Sequence, residues 1–237
     1  MSVNLESYKE MLAQPWGKIQ YELTFVQLAH IKNQRVLDFG AGFGLISQFL
    51  AKENEVVAIE LNEEMLDPQS PQDFQKILGS IEKIEELEAQ SFDLILSHNV
   101  LEYVNPQERA TYLQALKRVL KPNGQLSIIK HNQVGKVMQA TVFENRIDKA
   151  LRLLNGEEFE SVFFFKGATY TLEELLDASQ MTMVKYQGIR CFYGLQPNTF
   201  KTSDGWLAEM TRLELAVCDL KPYKDISFLQ HIWLTFS

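Results

Sequence analysis

The chain has 237 residues, 46% of them apolar and 23% charged, with a formal net charge of −8. That length suits one large domain with a sizeable core. The acid excess counts against a general nucleic-acid binder, whose footprint is basic. No run of about 18 apolar residues marks a membrane span. The opening Met1-Ser2-Val3-Asn4-Leu5-Glu6 lacks the basic-then-apolar pattern of a secretion signal. Cys191 and Cys218 make no metal or redox spacing, so a reduced, cytoplasmic setting without a bound metal is expected.

In chain order, residues 5–31 read as one or two helices. Arg35-Val36-Leu37-Asp38-Phe39 is a buried strand, and Leu45 to Leu50 follows with helical spacing. Val56 to Glu60, Phe74 to Leu78 and Phe92 to Ser97 are the next strands. Residues 107–120 have apolar positions at helical intervals, and Lys121-Pro122-Asn123-Gly124 stops that helix with turn chemistry. Gln125 to Ile129 is a strand, and residues 131–170 form an inserted lid lobe. Thr171 with Glu174 fits a capping box that opens a helix. Val184 to Tyr193 reads as a strand, Trp206 to Leu220 as a helix and Phe228 to Phe236 as a closing strand. Alternation of strand and helix predicts a Rossmann-like α/β fold: seven mostly parallel strands with helices on both faces. The expectation is one domain: helices to residue 31, a core over 32–130, the lobe, and completion of the sheet by 171–237.

Charge is uneven along this order. Residues 53–93 hold twelve acids against two lysines. Residues 130–152 hold Lys130, Lys136, Arg146, Lys149 and Arg152 against Glu144 and Asp148. That stretch is either a local basic surface or a solvated helix face.

Gly40-x-Gly42-x-Gly44 follows a strand and opens a helix, where glycines let the backbone turn tightly and approach a ligand. The spacing is not the G-x-G-x-x-G of dinucleotide binders, and it suits a ligand without a pyrophosphate. Glu60 ends the second strand, 22 positions after Asp38, where an acid can accept hydrogen bonds from both ribose hydroxyls of an adenosine. Asp38 is placed to order the loop or to meet a bound amine through water.

These residues resemble a known class. Val36 to Gly44, Val57-Ala58-Ile59-Glu60-Leu61-Asn62-Glu63-Glu64-Met65, Phe92-Asp93-Leu94-Ile95 and Leu116 to Gly124 are similar to the class I S-adenosylmethionine-dependent methyltransferases. The resemblance implies that the 36–44 loop, with Asp38, Gly40, Ala41, Gly42 and Gly44, holds the methionine part of S-adenosyl-L-methionine. Glu60 would hold the ribose, Leu61 would pack on the adenine, and Ser80, Ile81 and Glu82 would line its edge. Ser80 stands where the class commonly has Asp. His98, after the fourth strand, would sit beside the sulfonium, as a backbone contact to cofactor or as a base.

A further resemblance reaches the tail. His98-x-Val100-Leu101-Glu102-Tyr103-Val104, Leu126-Ser127 to His131-Asn132, Gly188-Ile189-Arg190-x-Phe192, and Leu213-Glu214-Leu215-Ala216 with Pro222-Tyr223 are similar to the bacterial tRNA 5-carboxymethoxyuridine methyltransferases. That family methylates a carboxylate on a modified wobble uridine, so tRNA is an implied partner. Its N-terminal helix carries G-x-x-R, with the Arg on the cofactor carboxylate. This chain has Gly17-Lys18-Ile19-Gln20, and Lys18 offers a point charge in place of the fork.

Arg190 is the candidate to orient a carboxylate acceptor, which is ionised at pH 7 and needs no base. An amine or hydroxyl acceptor would give weight to His98 or His131. Phe143, Phe159, Phe163, Phe164, Phe165 and Tyr170 either pack the lobe or stack a base. A small-metabolite methyltransferase and a noncatalytic binding module on the cofactor fold are the alternative readings, and glycine spacing disfavours an NAD-dependent oxidoreductase.

Overall fold

The computed structural model describes residues 10, 12–67, 72–159, 166–201 and 203–236. Its strands are β1 (Arg35–Phe39), β2 (Glu55–Glu60), β3 (Gln75–Leu78), β4 (Phe92–His98), β5 (Leu120–His131), β6 (Thr182–Ile189) and β7 (Leu229–Thr235). They form one seven-stranded sheet in the order β3-β2-β1-β4-β5-β7-β6. β1 pairs in parallel with β2 and β4, β2 with β3, and β4 with β5. The helices are α1 (Pro15–Leu28), α2 (Leu45–Leu50), α3 (Ile81–Glu85), α4 (Arg109–Val119), α5 (Gln133–Met138), α6 (Ile147–Leu154), α7 (Leu172–Ser179), α8 (Asp204–Val217) and α9 (Tyr223–Ile226). This is the fold expected from the alternation of strand and helix.

The chain divides into two compact units. One is built from Gln27–Ile129, Leu172–Lys185 and Ile232–Ser237. Its core is the strands themselves: Val36, Leu37, Phe39, Val56, Val57, Ala58, Ile59, Phe92, Leu94, Ile95 and Leu96 are buried. Strands covered on both faces read as unbroken apolar runs, which is why they were visible in the sequence. Leu113, Leu116 and Val119 give α4 its buried stripe.

Lys121 to Gly124 is not a turn between two elements. It lies within β5 as an irregularity, with Phe92 paired to Leu120 and Leu94 to Gln125. The helix ends at Val119 because Leu120 already has extended dihedrals. Lys121 Nζ reaches both oxygens of Asp93 at 2.8 Å, and a β-carbon on Gly124 would meet Leu120 Cδ1 at 2.6 Å. The ion pair and this close approach fix the excursion as a bulge.

The other unit comprises Met1–Val26, Lys130–Thr171 and Tyr186–His231. A π-helical segment, Gln139–Phe143, lies between α5 and α6. β6 stops at Ile189, short of the expected Tyr193, because Arg190 takes a left-handed conformation with φ 61°. In residues 130–152 three of the five cations are ion-paired. Lys130 is only 2% exposed and its ammonium meets the Tyr170 carbonyl at 2.6 Å. Arg146 and Arg152 share Asp148, and Lys149 pairs with Glu144 at 2.6 Å. Asp148 and Glu144 thus offset two of the five positive charges of this stretch, which stays net basic. Among the described residues no helix is long and apolar enough to cross a membrane.

Candidate functional site

Parallel register brings the ends of β1 to β4 to one edge of the sheet. Phe39 lies beside Ile59 and Ser97, and Glu60 beside Leu78. The segments that follow these strands, 40–44, 61–62, 79–82 and 99–100, gather there, as ligand-binding loops do in open α/β sheets.

The glycine turn is built by backbone constraint. Gly40, Gly42 and Gly44 have φ of 77°, 56° and 70°, all in the left-handed region. A β-carbon on Gly40 would lie 2.4 Å from Val100 Cγ2. On Gly42 it would meet, among the described residues, Met65 Cε at 3.5 Å, an ordinary contact that leaves room for a ligand to approach. Gly40 and Ala41 donate to the Ile59 carbonyl, which ties the turn to β2.

Glu60 completes it. Its carboxylate accepts from Gly42 N at 2.8 Å and from Asn62 N at 3.0 Å. It thus braces the turn while its outer lone pairs remain for further donors. The next side chain, Leu61, is 70% exposed. An acid beside a large apolar group in solvent fits a ribose beside an adenine. Beneath the turn, Asp38 is buried and accepts from Ser47 Oγ at 2.6 Å. Burial pushes its carboxyl up to about 6, with the Glu60 charge adding to the rise against the Ser47 hydrogen bond. Ser80 stands at the N-cap position of α3 without a side-chain capping bond, and Glu82 Oε1 accepts from Ser80 N at 2.7 Å. That amide hydrogen bond is the main cause that holds the Glu82 carboxyl below its usual range. Ile81 lies between them, half-buried.

His98 ends β4. Its Nε2 lies 2.8 Å from Ser127 Oγ, and burial pulls its imidazole down to about 3. The ring is neutral at pH 7 and a weak base, which counts against proton abstraction by it.

Lys18 and Arg190 belong to the other unit. Lys18 is exposed on α1 and makes no ion pair among the described residues. Gly17 beside it is needed for space: a β-carbon would lie 2.3 Å from the Leu12 carbonyl oxygen. Arg190 is not the ordinary surface residue that a strand position allows. It is 7% exposed, with its guanidinium 4.5 Å from the Phe228 ring centroid, 5.3 Å from Tyr193 and 5.9 Å from Trp16. Burial lowers it to about 10, offset in part by Tyr193 and Glu214. Its Nη1 donates to Gln20 Oε1 at 3.3 Å. Gln20 stands where the resembling tRNA family has Arg, and a second guanidinium there would repel the first.

Sequence reasoning missed what holds Arg190. Glu214 on α8 is buried and accepts from the amides of Cys191, Phe192 and Tyr193 at 2.6, 2.8 and 2.7 Å. Three amides on one carboxylate fix the turn that follows the left-handed Arg190. The signal was an acid on the apolar face of a helix, an unusual place for one without such partners. Among the aromatic candidates, Phe159 and Tyr170 are buried and Phe143 half-buried. Phe163, Phe164 and Phe165 lie outside the described residues. His131 packs between Phe159 and Phe228, at 4.7 and 5.3 Å between ring centroids. Burial, with the charges of Lys136, Arg190 and Lys130, holds its imidazole well below the usual range.

Comparison with known proteins agrees with this geometry. Residues 37–128 match the model of a family described as a methyltransferase domain. Ubiquinone biosynthesis O-methyltransferase from Coxiella burnetii is 31% identical over 150 residues, 55% of this chain and 63% of that protein. The mitochondrial human protein of the same name is 26% identical over 204 residues, 79% of this chain and 50% of its own. The chain thus spans about half to two thirds of the relatives it matches. The solved structure of Burkholderia thailandensis 1,6-didemethyltoxoflavin-N1-methyltransferase, with bound 1,6-didemethyltoxoflavin and S-adenosylhomocysteine, shares the fold. Its TM-score is 0.58 at 17% identity, over 92% of this chain and 79% of that one. Residues 37–128 thus match a methyltransferase-domain model, and the fold is shared with a solved methyltransferase that binds S-adenosylhomocysteine.

Proposed function

We propose that this protein transfers a methyl group from S-adenosylmethionine to a carboxylate oxygen of a ring-bearing acceptor. The observation that carries the reading is Arg190, a buried guanidinium among aromatic rings with no carboxylate of the protein in ion-pair range among the described residues. A planar guanidinium grips a carboxylate through parallel hydrogen bonds, and the rings suit the body of the acceptor. The bound cofactor supplies a methyl group already activated by its positive sulfur. Glu60 would hold the ribose hydroxyls, the open Gly42 face would admit the methionine part, and Leu61 would cover the adenine. The protein's task is then alignment, an effect whose upper range is about 7–11 kcal/mol. A carboxylate needs no proton removed, which agrees with His98 being so weak a base.

Two acceptors have this chemistry. The tail motifs that end in Gly188-Ile189-Arg190 support the carboxylate of a modified wobble uridine in tRNA. The net charge of −8, and relatives named for ubiquinone biosynthesis, support a small molecule. Incubation with labelled cofactor and either bulk tRNA or a pool of small carboxylic acids separates them. Label released as methanol by mild alkali marks a methyl ester. Alkali-stable label in both pools would overturn the carboxylate reading.

A further inference from the structure

Among the described residues Arg190 is not alone in its unit as a buried or half-buried cation with no ion pair. Lys201, half-buried after the 3-10 turn Asn198–Phe200, holds its ammonium 4.5 Å from the Tyr193 ring centroid and 4.6 Å from Phe143. Its hydrogen bond goes to a neutral group, Asn198 Oδ1, at 3.2 Å. Tyr193 therefore carries two cations, with the Arg190 guanidinium 5.3 Å from the same centroid. Arg190 has Gln20 on Nη1 and no hydrogen-bond partner on Nε. The acid whose charge it feels is Glu214, and both oxygens of Glu214 are already taken by amides.

Two like charges drawn to one ring repel each other. Burial, and then the charge of Arg190, pull the Lys201 ammonium down to about 8. A partly desolvated cation is costly without an anion, and cation–π contact offsets only part of that cost. One carboxylate would neutralise one of the two. A ligand carboxylate on Arg190 still leaves Lys201, among the described residues, with neutral partners, Asn198 Oδ1 and the rings of Tyr193 and Phe143, so a second anion has its place beside Tyr193.

We propose that Arg190 and Lys201 form a two-cation subsite around Tyr193 for an acceptor with two anionic groups on or near its ring: Arg190 takes the methylated carboxylate, and Lys201 selects for the second anion. This rests on the reading of Arg190 given above. Lys201 is a specificity residue and takes no part in the methyl transfer.

Calorimetric titration of the intact protein with benzoate, isophthalate and benzamide tests it, with S-adenosylhomocysteine titrated in parallel. Isophthalate should bind about tenfold tighter than benzoate, the scale of one added charged contact. Benzamide should give no heat. Lys201→Met should remove the preference for isophthalate and leave benzoate within about twofold, while Lys201→Arg should retain it. Isophthalate binding no tighter than benzoate, or equal weakening of both by Lys201→Met, overturns the two-cation subsite and leaves the Arg190 reading standing. No heat from either acid at about 10 mM also sinks it. Benzoate affinity that survives Arg190→Gln overturns the Arg190 reading and this one together. In either case, retained S-adenosylhomocysteine binding leaves the methyltransferase domain unaffected.

Discussion

At the scale of single residues, two carboxylates near the glycine turn have opposite duties. Glu60 faces outward and accepts from two backbone amides. Glu60→Gln retains one neutral acceptor but turns an NH2 toward a donor, so affinity for S-adenosylhomocysteine should fall about tenfold, and further in Glu60→Ala. Unchanged affinity by calorimetry would refute the ribose role. Asp38 is buried, and its carboxyl is raised to about 6 from 3.8. Because the folded state holds this proton more tightly than the unfolded chain, its contribution to stability is full below about pH 4. That contribution is lost as pH rises through about 6. The gap corresponds to roughly 2–3 kcal/mol. Asp38→Asn, whose oxygen can still accept from Ser47, should raise the melting temperature at pH 7.5 and not at pH 4. An equal gain at both would mean that ionisation is not the cause.

Elements bear their own constraints. The β1–α2 turn needs glycine at 40 for two separate reasons, its φ of 77° and the 2.4 Å approach to Val100 Cγ2. Gly40→Ala should cost on the order of 2–4 kcal/mol. Gly40→Ala with Val100→Ala should recover the steric part and leave the backbone part. Urea denaturation of both variants measures the split, and no recovery in the double variant would remove Val100 from the account. The turn after β6 depends on α8 in the same way. Glu214→Ala leaves three amides without their acceptor and should destabilise by about 3–5 kcal/mol. Glu214→Gln, with one oxygen left, should lose less. Equal loss in the two would show that the carboxylate's fork is irrelevant.

For the molecule as a whole, charge bears on how it would meet a nucleic acid. The net charge is −8, and in the most basic stretch, 130–152, three of five cations are ion-paired to two acids. Bulk tRNA should therefore bind weakly at physiological salt, with a shallow salt dependence, when followed by fluorescence anisotropy. Submicromolar binding with a steep slope would instead favour the wobble-uridine acceptor.

The amino-acid order by itself determined the sheet, the glycine turn and the positions of Asp38 and Glu60, because each depends on local pattern. Buried parallel strands are continuous apolar runs, and a strand-to-helix turn with positive φ demands glycine. The character of Arg190 could not be read that way. Its burial, its rings, Gln20 at a separation of 170 residues and the Glu214 clamp are all contacts distant in the chain. Nor could the pairing of Arg146, Lys149 and Arg152 with acids, which offsets part of the charge of a basic stretch. Sequence carries what is repeated or local. Which cation stays buried and which is neutralised depends on solvent exposure and on distance, and only the folded chain sets those.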